Sequence, residues 1–534
     1  MKLKLPGFLF RTLLVFLAAL TFSFTLHAQI APEIKWQRSL GGSGGDAAYS
    51  IQQTADSGFI VAGGTTSLDG DVTGLHGDGS TTDDWIVRLD KQGNIIWQRC
   101  YGGPNDEQAN SVQETTDGGF IVAGYSNSND SDVAGNHGHF DYWILKLDSL
   151  GNLVWQKCLG GDKDDKAYSI QQTADTGYIV AGYSFSDGGD VTGNHGSKDY
   201  WVVKLDTGGN ITWQKSLGGT NNEFANYIRQ TLDGGYIVAG FSGSNSGDVS
   251  GNHGGEDYWI VKLDTVGNIE WQKSLGGIND EEAMCVRQTN NGGYIVAGFS
   301  KSIDGDITGH HDHNDYWIVR LNNAGDLVWE KSFGGSDDDF ANSVEEVGDS
   351  SYIIAGSSVS TDYDVTGNHG GFNYGDYWLV KVDLAGNMLW QKTYGGAGIE
   401  YGACVQPTAQ GRLVLAGYSN SIDGDVTNGH GAYDFWIVLL KLETLSGISP
   451  VSNGFLSVYP NPVQTQLTIN LTEAVNDVCI RVYNLEGSLI ALPATLRNSQ
   501  VQLTTTALPD GFYMLQITNE KTGDILIGKF VKGE

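Results

Sequence analysis

Hydrophobic and polar residues alternate along short segments between residues 34 and 442, and turns rich in Gly, Asn and Asp separate the segments. In one copy, AYSIQQT at 167–173 is followed by YIVAGYS at 178–184, YWVVKLD at 200–206 and ITWQKSL at 211–217. Alternation with period 2, together with β-branched and aromatic residues, is typical of β-strands. No helical periodicity competes with it, so the pattern predicts four strands in each copy.

This four-strand pattern occurs seven times. The motif W-[QE]-[KR] recurs at spacings of 58 to 61 residues, at Trp36, Trp97, Trp155, Trp213, Trp271, Trp329 and Trp390. A second tryptophan recurs in D-[YFD]-W, at Trp85, Trp143, Trp201, Trp259, Trp317, Trp378 and Trp436. A fixed period indicates a solenoid, an array or a propeller. Seven copies of four antiparallel strands predict an all-β fold, a seven-bladed β-propeller.

The two ends of the array complement each other. The chain enters it on an isolated W-strand at 34–40 and leaves on an isolated D-F-W strand at 434–442. We expect the N-terminal strand to complete the last blade and so to close the ring. The stretch L-D-x-x-G-N-[IL]-x-W also resembles the docking motif of quinoprotein-type propellers, where a Trp of the outermost strand packs between blades.

Composition and charge exclude several classes of protein. Gly accounts for 75 of 534 residues, about twice the usual share of roughly 7%. Aromatic residues at 11% argue against disorder. The 63 acidic and 31 basic residues give a net charge of −32, which repels nucleic acid. We therefore expect no nucleic-acid partner.

Residues 1–28 have the layout of a secretory signal peptide. Lys2, Lys4 and Arg11 precede the apolar run at 12–26, and the small residue Ala28 follows it. No other apolar run approaches the length of about 20 residues that a membrane span needs. We therefore expect an exported mature chain without a transmembrane segment, whose propeller occupies residues 29–445.

A long loop of each copy suggests a calcium site. In three copies the carboxylates occupy loop positions 1, 3 and 12, which resembles an EF-hand-type loop. The predicted calcium ligands are Asp130, Asp132, Asp141, Asp304, Asp306, Thr308, Asp312, Asp315, Asp423, Asp425 and Asp434. No position 12 carries Glu and no helices flank the loops, whereas Asp, Asn and Gly also cap turns. Calcium binding and turn capping are both open at this point.

Each of the seven long loops also carries a His five residues after its recurrent Asp. A His opposite the Asp of D-[YFD]-W in every copy is consistent with a structural hydrogen bond. A transition-metal site is the alternative.

A second set of acidic residues lies ten positions after each W-motif Trp. Each precedes an inner strand, so we expect the set to circle the mouth of the channel and to gather cations or bind sugar hydroxyls. Capping of the turn that enters the strand is the alternative. The set consists of Asp46, Glu107, Asp165, Glu223, Glu281, Asp339 and Glu400.

No catalytic motif stands out. G-x-S-x-G, H-E-x-x-H and P-loop patterns are missing from the sequence. An enzyme on a propeller needs asymmetry between blades, and the departures are modest. They are Tyr227, Arg229, Arg287 and an insertion at 371–374. A carboxylate pair for glycoside hydrolysis cannot be singled out within a ring of seven.

The last eighty residues form a separate region. SGISPVSNG at 446–454 reads as a linker, and residues 455–534 predict a small β-sandwich. The order Y-P-N-P at 459–462, V-Y-N-x-x-G at 482–487, L-x-x-G-x-Y at 508–513 and K-F-V-K at 529–532 resembles the C-terminal sorting domain of the type IX secretion system. An accessory carbohydrate-binding sandwich is the alternative.

The resemblance to a sorting domain implies a partner and a destination. It implies recognition of residues 455–534 by the outer-membrane machinery of a Gram-negative bacterium, followed by release or attachment at the cell surface. For the propeller we expect a non-enzymatic binding or adhesion module for surface polysaccharide or protein, because repeated loops favour multivalent contact. A secreted polysaccharide-active enzyme and a passive, calcium-stiffened surface-layer component are the alternatives.

Overall fold

The computed structural model describes residues 29–348, 351–370 and 374–441, together with short segments of the C-terminal region. Those segments are 444–445, 458–459, 463–470, 478–483, 489–490, 494–497, 500–506, 508–509, 511–519 and 525–533. The predicted signal peptide and linker lie outside the described residues. The chain divides into two compact units, Ala28–Thr444 and one that includes Leu445–Glu534.

The first unit consists of seven four-stranded antiparallel sheets, the blades of a β-propeller. Blade 1 starts at Asp46, and the others follow in chain order. The inner strands are Asp46–Gln53, Glu107–Glu114, Asp165–Gln172, Glu223–Gln230, Glu281–Gln288, Asp339–Val347 and Glu400–Pro407. The second strands are Phe59–Thr65, Phe120–Ser126, Tyr178–Ser184, Tyr236–Ser242, Tyr294–Ser300, Ser351–Ser358 and Leu413–Ser419.

The two remaining strands of each blade complete the sheet. The third strands are Asp83–Leu89, Asp141–Leu147, Asp199–Leu205, Asp257–Leu263, Asp315–Leu321, Asp376–Asp383 and Asp434–Leu440. The outer strands of blades 1 to 6 are Ile95–Tyr101, Leu153–Leu159, Ile211–Leu217, Ile269–Leu275, Leu327–Phe333 and Met388–Tyr394. The all-β, seven-bladed prediction is confirmed, and the described part of the chain contains no helix.

The ring closes as the ends of the array predict. Strand Ile34–Leu40 pairs with Asp434–Leu440 and forms the outer strand of blade 7. The indole Nε1 of Trp436 donates to Oε1 of Gln37 across this pair, at 3.0 Å. The same bond joins the third-strand Trp to the outer-strand Gln or Glu within blades 1 to 6. The two sequence motifs are therefore two halves of one contact.

Neighbouring blades share hydrophobic cores, in which side chains of one blade pack on the sheet of the next. The outer-strand Trp lies at this boundary, as the resemblance to a docking motif implies. The Trp155 ring, for example, lies 5.9 Å from the Tyr178 ring of the next blade. It also covers Gly209, a turn residue with φ of 76°, where a Cβ would collide with the indole.

A second interblade contact comes from the Tyr of D-Y-W. The Tyr200 ring packs 4.5 Å from the Trp259 ring, and its hydroxyl donates to the Trp259 carbonyl at 2.8 Å. Five blades make this contact. Blade 7 has Phe435 instead, and blade 1 has Asp84, which is fully buried. Neither Asp84 carboxyl oxygen has a hydrogen-bond partner among the described residues.

The second unit contains two four-stranded sheets. One consists of Val458–Tyr459, Gln466–Asn470, Gln500–Thr504 and Ala494–Arg497, and the other of Leu489–Ile490, Val478–Tyr483, Gly511–Asn519 and Ile525–Lys532. Buried side chains from both sheets, among them Leu467, Val501, Leu515 and Phe530, form one hydrophobic core. No helix in the described part of either unit is long and apolar enough to span a membrane.

Candidate functional site

The loops of the propeller divide between its two faces. On one face lie the tight turns that follow the inner and third strands. On the other, here called the loop face, the long loops between second and third strands meet the L-G-G segments that precede the inner strands. The amide of Asp190 in a long loop, for example, donates to the Gly160 carbonyl at 2.9 Å.

The acidic residues that start the inner strands are buried. All seven have at most 1% of their surface exposed: Asp46, Glu107, Asp165, Glu223, Glu281, Asp339 and Glu400. We call them the inner carboxylates. Asp165 is typical, since its Oδ2 accepts hydrogen bonds from the Gly161 amide and the Ser186 hydroxyl, both at 2.8 Å.

Burial controls the electrostatics of the inner carboxylates. It raises the pKa of Asp46 to about 6 and that of Asp339 to about 7, against the opposing effect of their hydrogen bonds. Burial also raises the pKa of Glu107, Asp165, Glu223 and Glu281. The structure thus differs from the expectation of an exposed ring around the channel mouth. The inner carboxylates bind backbone amides and hydroxyls of their own blade and expose no surface to a polysaccharide.

The His of each long loop pairs with the first residue of the third strand in the same blade. Nδ1 of His195 lies 2.6 Å from Oδ2 of Asp199, whose Oδ2 also accepts from the His195 amide at 2.9 Å. The pairs are His76–Asp83, His137–Asp141, His195–Asp199, His253–Asp257, His311–Asp315, His369–Asp376 and His430–Asp434. In blades 1 and 6 the partners are seven residues apart instead of four. A contact that survives this insertion is a fixed part of the blade architecture.

Each third-strand Asp also faces the next blade. Oδ1 of Asp141 is buried without a hydrogen-bond partner among the described residues. Beside it lies Gly160, the first Gly of the next L-G-G segment, where a Cβ would collide with the carboxylates of both Asp141 and Asp165. The same arrangement holds at Gly41, Gly102, Gly218, Gly276, Gly334 and Gly395. Two buried carboxylates therefore flank a glycine at every blade junction.

In the loop with the most predicted calcium ligands, two Asp side chains accept backbone amides in and directly after the L-G-G segment that precedes the inner strand. Oδ1 of Asp304 accepts from the backbone amide of Ile278 at 3.0 Å, and Oδ2 of Asp306 accepts from that of Gly276 at 3.2 Å. Asp312 is exposed, and the Thr308 hydroxyl donates to a Glu of the outer strand. The fifth predicted ligand, Asp315, pairs with the loop His.

The other two predicted calcium loops behave similarly. Asp423 and Asp425 accept backbone amides at 2.8 and 3.4 Å, while Asp434 pairs with its loop His. Asp132 accepts the Gly102 amide at 3.4 Å, Asp141 pairs with its loop His, and the Asp130 side chain is exposed. Among the described residues, no group of three or more His, Cys, Asp or Glu side chains is arranged to hold a metal ion. Calcium binding stays a prediction.

The inner strands surround a central cavity of about 430 Å³. Amide side chains such as Asn110, Asn226 and Asn342 line it, together with the aromatic rings of Tyr168 and Tyr401. Unlike the loop face, this surface differs from blade to blade. The fifth residue of the inner strand is Ser in blades 1, 2, 3 and 6, Tyr in blade 4 and Cys in blades 5 and 7.

The departures noted in the sequence meet in this cavity. The guanidinium carbons of Arg229 and Arg287 lie 4.3 and 4.4 Å from the centre of the Tyr227 ring. Glu345 of the next blade accepts from Nε and Nη2 of Arg287, at 3.0 and 2.5 Å. Glu345 was not predicted as part of the site. Aligning the seventh residue of each inner strand would have found it, because that position is Gln in four blades.

The C-terminal region matches a known family. Residues 457–532 match the model of the secretion system C-terminal sorting domain family. Over 312 residues, the chain is 24% identical to the regulatory protein FlaEY of Caulobacter vibrioides. This match covers 52% of the chain but only 31% of FlaEY, so the chain spans about a third of that relative's length.

Solved structures add distant likenesses. The WD40 domain of Neurospora crassa Pan2 is 10% identical at a TM-score of 0.42, over 77% of this chain and 97% of that one. PorZ, described as a surface component of the type IX secretion system of Porphyromonas gingivalis, is 11% identical at a TM-score of 0.18, over 95% of this chain and 86% of that one. Similarity at these scores carries no functional argument. The sorting domain and the sheets together make the chain a secreted or cell-surface seven-bladed β-propeller protein of a Gram-negative bacterium, sorted by type IX secretion.

Proposed function

We propose that the propeller is a non-enzymatic binding module for surface polysaccharide and that its ligand enters the central cavity. The observation that carries this proposal is the contrast between the cavity and the loop face. The cavity combines aromatic rings with amide groups, as sites for sugars and other polar ligands do, and its volume of about 430 Å³ falls within the usual range for small-ligand sites. The inner carboxylates of the loop face are buried, and each accepts hydrogen bonds from its own blade.

Asymmetry supports the same assignment. The inner carboxylates, the His–Asp pairs and the glycine between them are repeated in every blade, since every junction has the same task. The cavity wall instead changes from Ser to Tyr or Cys at one level and from Gln to Arg or Glu at another. Variation on an otherwise regular scaffold is what a specific ligand requires.

A polysaccharide panel tests the proposal. Purified protein is screened for retention of glycans and, in parallel, for release of shorter products. We expect retention without product release, and we expect Ser50→Tyr to abolish it, because this change places in blade 1 the bulk that Tyr227 has in blade 4. Ser80→Tyr, on an exposed loop, is the matched control. Retention that survives Ser50→Tyr would contradict the cavity as the site, and product release would favour an enzyme.

A further inference from the structure

The seventh residues of the seven inner strands form one layer of the propeller, and five of the seven line the cavity. The seven are Gln52, Gln113, Gln171, Arg229, Arg287, Glu345 and Gln406. Two cations and one anion therefore interrupt a ring of neutral amides, in three consecutive blades. Such a layer has a net charge of +1, within a chain whose net charge is −32.

The two arginines differ in their partners. Arg287 forms a two-bonded ion pair with Glu345, and both side chains are about 14% exposed. Arg229 donates to the Tyr227 hydroxyl, and to the Ile228 carbonyl at 3.0 Å. No carboxylate among the described residues forms an ion pair with Arg229. Its guanidinium is thus the uncompensated charge of the layer.

An uncompensated guanidinium in a confined space is costly. Removal from water disfavours the charged form of a group, and burial lowers the pKa of Arg229, with the neighbouring Arg287 acting in the same direction. Isolated buried charges are rare in proteins because they are normally paired or bind an ion. The Tyr227 ring lies within cation–π distance of both guanidinium groups and its hydroxyl accepts from Arg229, so Arg229 is also preorganised.

Resting on the proposed function, we infer that the cavity binds an acidic sugar, a uronic acid of a surface polysaccharide, with its carboxylate on Arg229. A guanidinium offers two parallel N–H donors that match the two oxygens of a carboxylate. A monoanion would also neutralise the net charge of the layer. The ligand would supply the carboxylate that Arg229, unlike Arg287, does not find among the described residues.

The rest of the cavity suits the sugar ring. Tyr168, Phe224 and Tyr401 supply aromatic faces for its C–H groups, and Asn110 and Asn226 supply amides for its hydroxyls. The one further acidic side chain that lines the cavity, Glu282, is the second residue of its strand. It lies about five residues, or roughly 16 Å along a strand, from the arginine layer. The nearer carboxylate, Glu345, is already bonded to Arg287, which leaves Arg229 as the cation for the ligand carboxylate.

Calorimetry with matched sugars tests this inference. Full-length protein is titrated with a disaccharide that ends in glucuronate, with its neutral glucose analogue and with a sulfated analogue. We expect the glucuronate sugar to bind about tenfold or more tightly than the neutral one, a gain of at least about 1.4 kcal/mol. Arg229→Gln, which restores the residue of blades 1, 2, 3 and 7, should remove this preference, so that the acidic and the neutral sugar bind with equal affinity.

Two further variants support the reading of that experiment. Arg99→Gln, on an exposed part of an outer strand, removes the same charge outside the cavity and should change neither affinity. Arg229→Lys keeps the positive charge but lacks the two parallel N–H donors of a guanidinium, so it should lose part of the preference. This variant provides a second test if Arg229→Gln fails to fold. Circular dichroism and the melting temperature establish folding for each variant.

The outcomes separate this inference from the proposed function. Equal binding of acidic and neutral sugars, or an acidic preference that survives Arg229→Gln, would overturn the uronic-acid assignment and leave the binding module intact. A preference for the sulfated sugar that depends on Arg229 would also overturn it. Failure of all three sugars and of the whole glycan panel would overturn the proposed function itself.

Discussion

The loop face and the central cavity of this propeller follow opposite rules. At the loop face, an inner carboxylate, a His–Asp pair and a close-packed glycine recur at every blade junction. In the cavity, side chains at equivalent positions differ, and three of them form the Tyr227–Arg229–Arg287 stack. At the loop face the repeated carboxylates are buried in internal hydrogen bonds, whereas the fifth and seventh residues of the inner strands differ from blade to blade. In a repeat protein, the most strongly repeated polar residues are therefore poor guides to the ligand site.

The largest expected effect is a dependence of the folding stability on pH, which comes from the inner carboxylate Asp339. The pKa of Asp339 is about 7 in the folded chain, against about 4 when unfolded, so the folded state binds this proton more tightly. Its contribution to stability is complete below pH 4 and is lost as the pH rises towards 7, which amounts to roughly 4 kcal/mol. We expect the melting temperature to fall between pH 5 and pH 8, and Asp339→Asn to flatten that slope. Asp312→Asn, on the exposed loop, should leave it unchanged.

A slope that Asp339→Asn leaves intact would contradict a buried, proton-binding carboxyl at this position. The cavity offers a contrast, because Arg229→Gln should shift the stability curve by a similar amount at every pH.

Glu281 and Glu282 are adjacent on one strand, but the first belongs to the loop face and the second lines the cavity. Glu281→Ala removes the acceptor for the Gly277 amide at 2.7 Å and the Ser300 hydroxyl at 2.8 Å. Because these donors stay buried, we expect a loss of about 3 kcal/mol in the free energy of unfolding. Glu282 faces the cavity, where burial and nearby acidic side chains raise its pKa to about 7. Glu282→Ala should therefore be neutral or slightly stabilising.

Urea unfolding of both variants measures the difference. An equal loss for the two variants would show that burial at the loop face does not distinguish the inner carboxylates from the cavity wall.

Asp84 is an exception within the repeated region, so it allows a gain of stability. Burial, reinforced by Glu107 and Asp83, raises its pKa far above the usual value. Asp84→Tyr should restore the ring contact with Trp143 and the hydroxyl bond to its carbonyl. Relief of an unpaired buried carboxyl and addition of that contact should stabilise the fold by about 2 kcal/mol.

Phe435→Tyr is the matched control for this change. It adds only the hydroxyl bond in blade 7, so about 1 kcal/mol is expected. Thermal unfolding at pH 7 measures both variants, and a gain for Phe435→Tyr that exceeds that for Asp84→Tyr would contradict the argument.

Calcium should have the smallest effect. Because most of the predicted ligands are already bonded to amides or His, we expect weak sites that stabilise the fold by about 1 kcal/mol each at millimolar calcium. Calorimetry on the purified protein, compared with the double variant Asp304→Ala and Asp306→Ala, measures the difference. Tight binding in the wild type that the double variant loses would show that the loop rearranges around the ion.

Much of the fold could be predicted from the sequence because its signals are local and repeated. Strands Tyr178–Ser184 and Ile211–Leu217 have the predicted bounds, and the closing strand Ile34–Leu40 was identified from an unpaired motif. The third strand starts one residue early, at Asp199, because its acidic residue still pairs with Ser184 of the second strand. A short polar residue at the end of a strand has the composition of a loop, so the sequence pattern places it outside the strand.

The site was harder to predict because a repeated sequence motif does not indicate which of its residues are exposed to solvent. Glu281 and Glu282 are adjacent acidic residues, and only the sheet register places one in the blade junction and the other in the cavity. Arg229 and Arg287 were visible as departures, but they lie 58 residues apart in the sequence. Their shared contact with Tyr227 depends on how the inner strands of blades 4 and 5 pack side by side.

Closure of the ring also constrains how the protein is made. The strand Ile34–Leu40 pairs with Asp434–Leu440, about 400 residues later. The first blade strand to be synthesised can therefore pair only after the last one has been synthesised. Contacts of such long sequence separation form late and slowly. Until then, the unpaired edge of blade 7 is open to other chains. A chain that lacks residues 34–40 would therefore expose the edge of strand Asp434–Leu440 permanently.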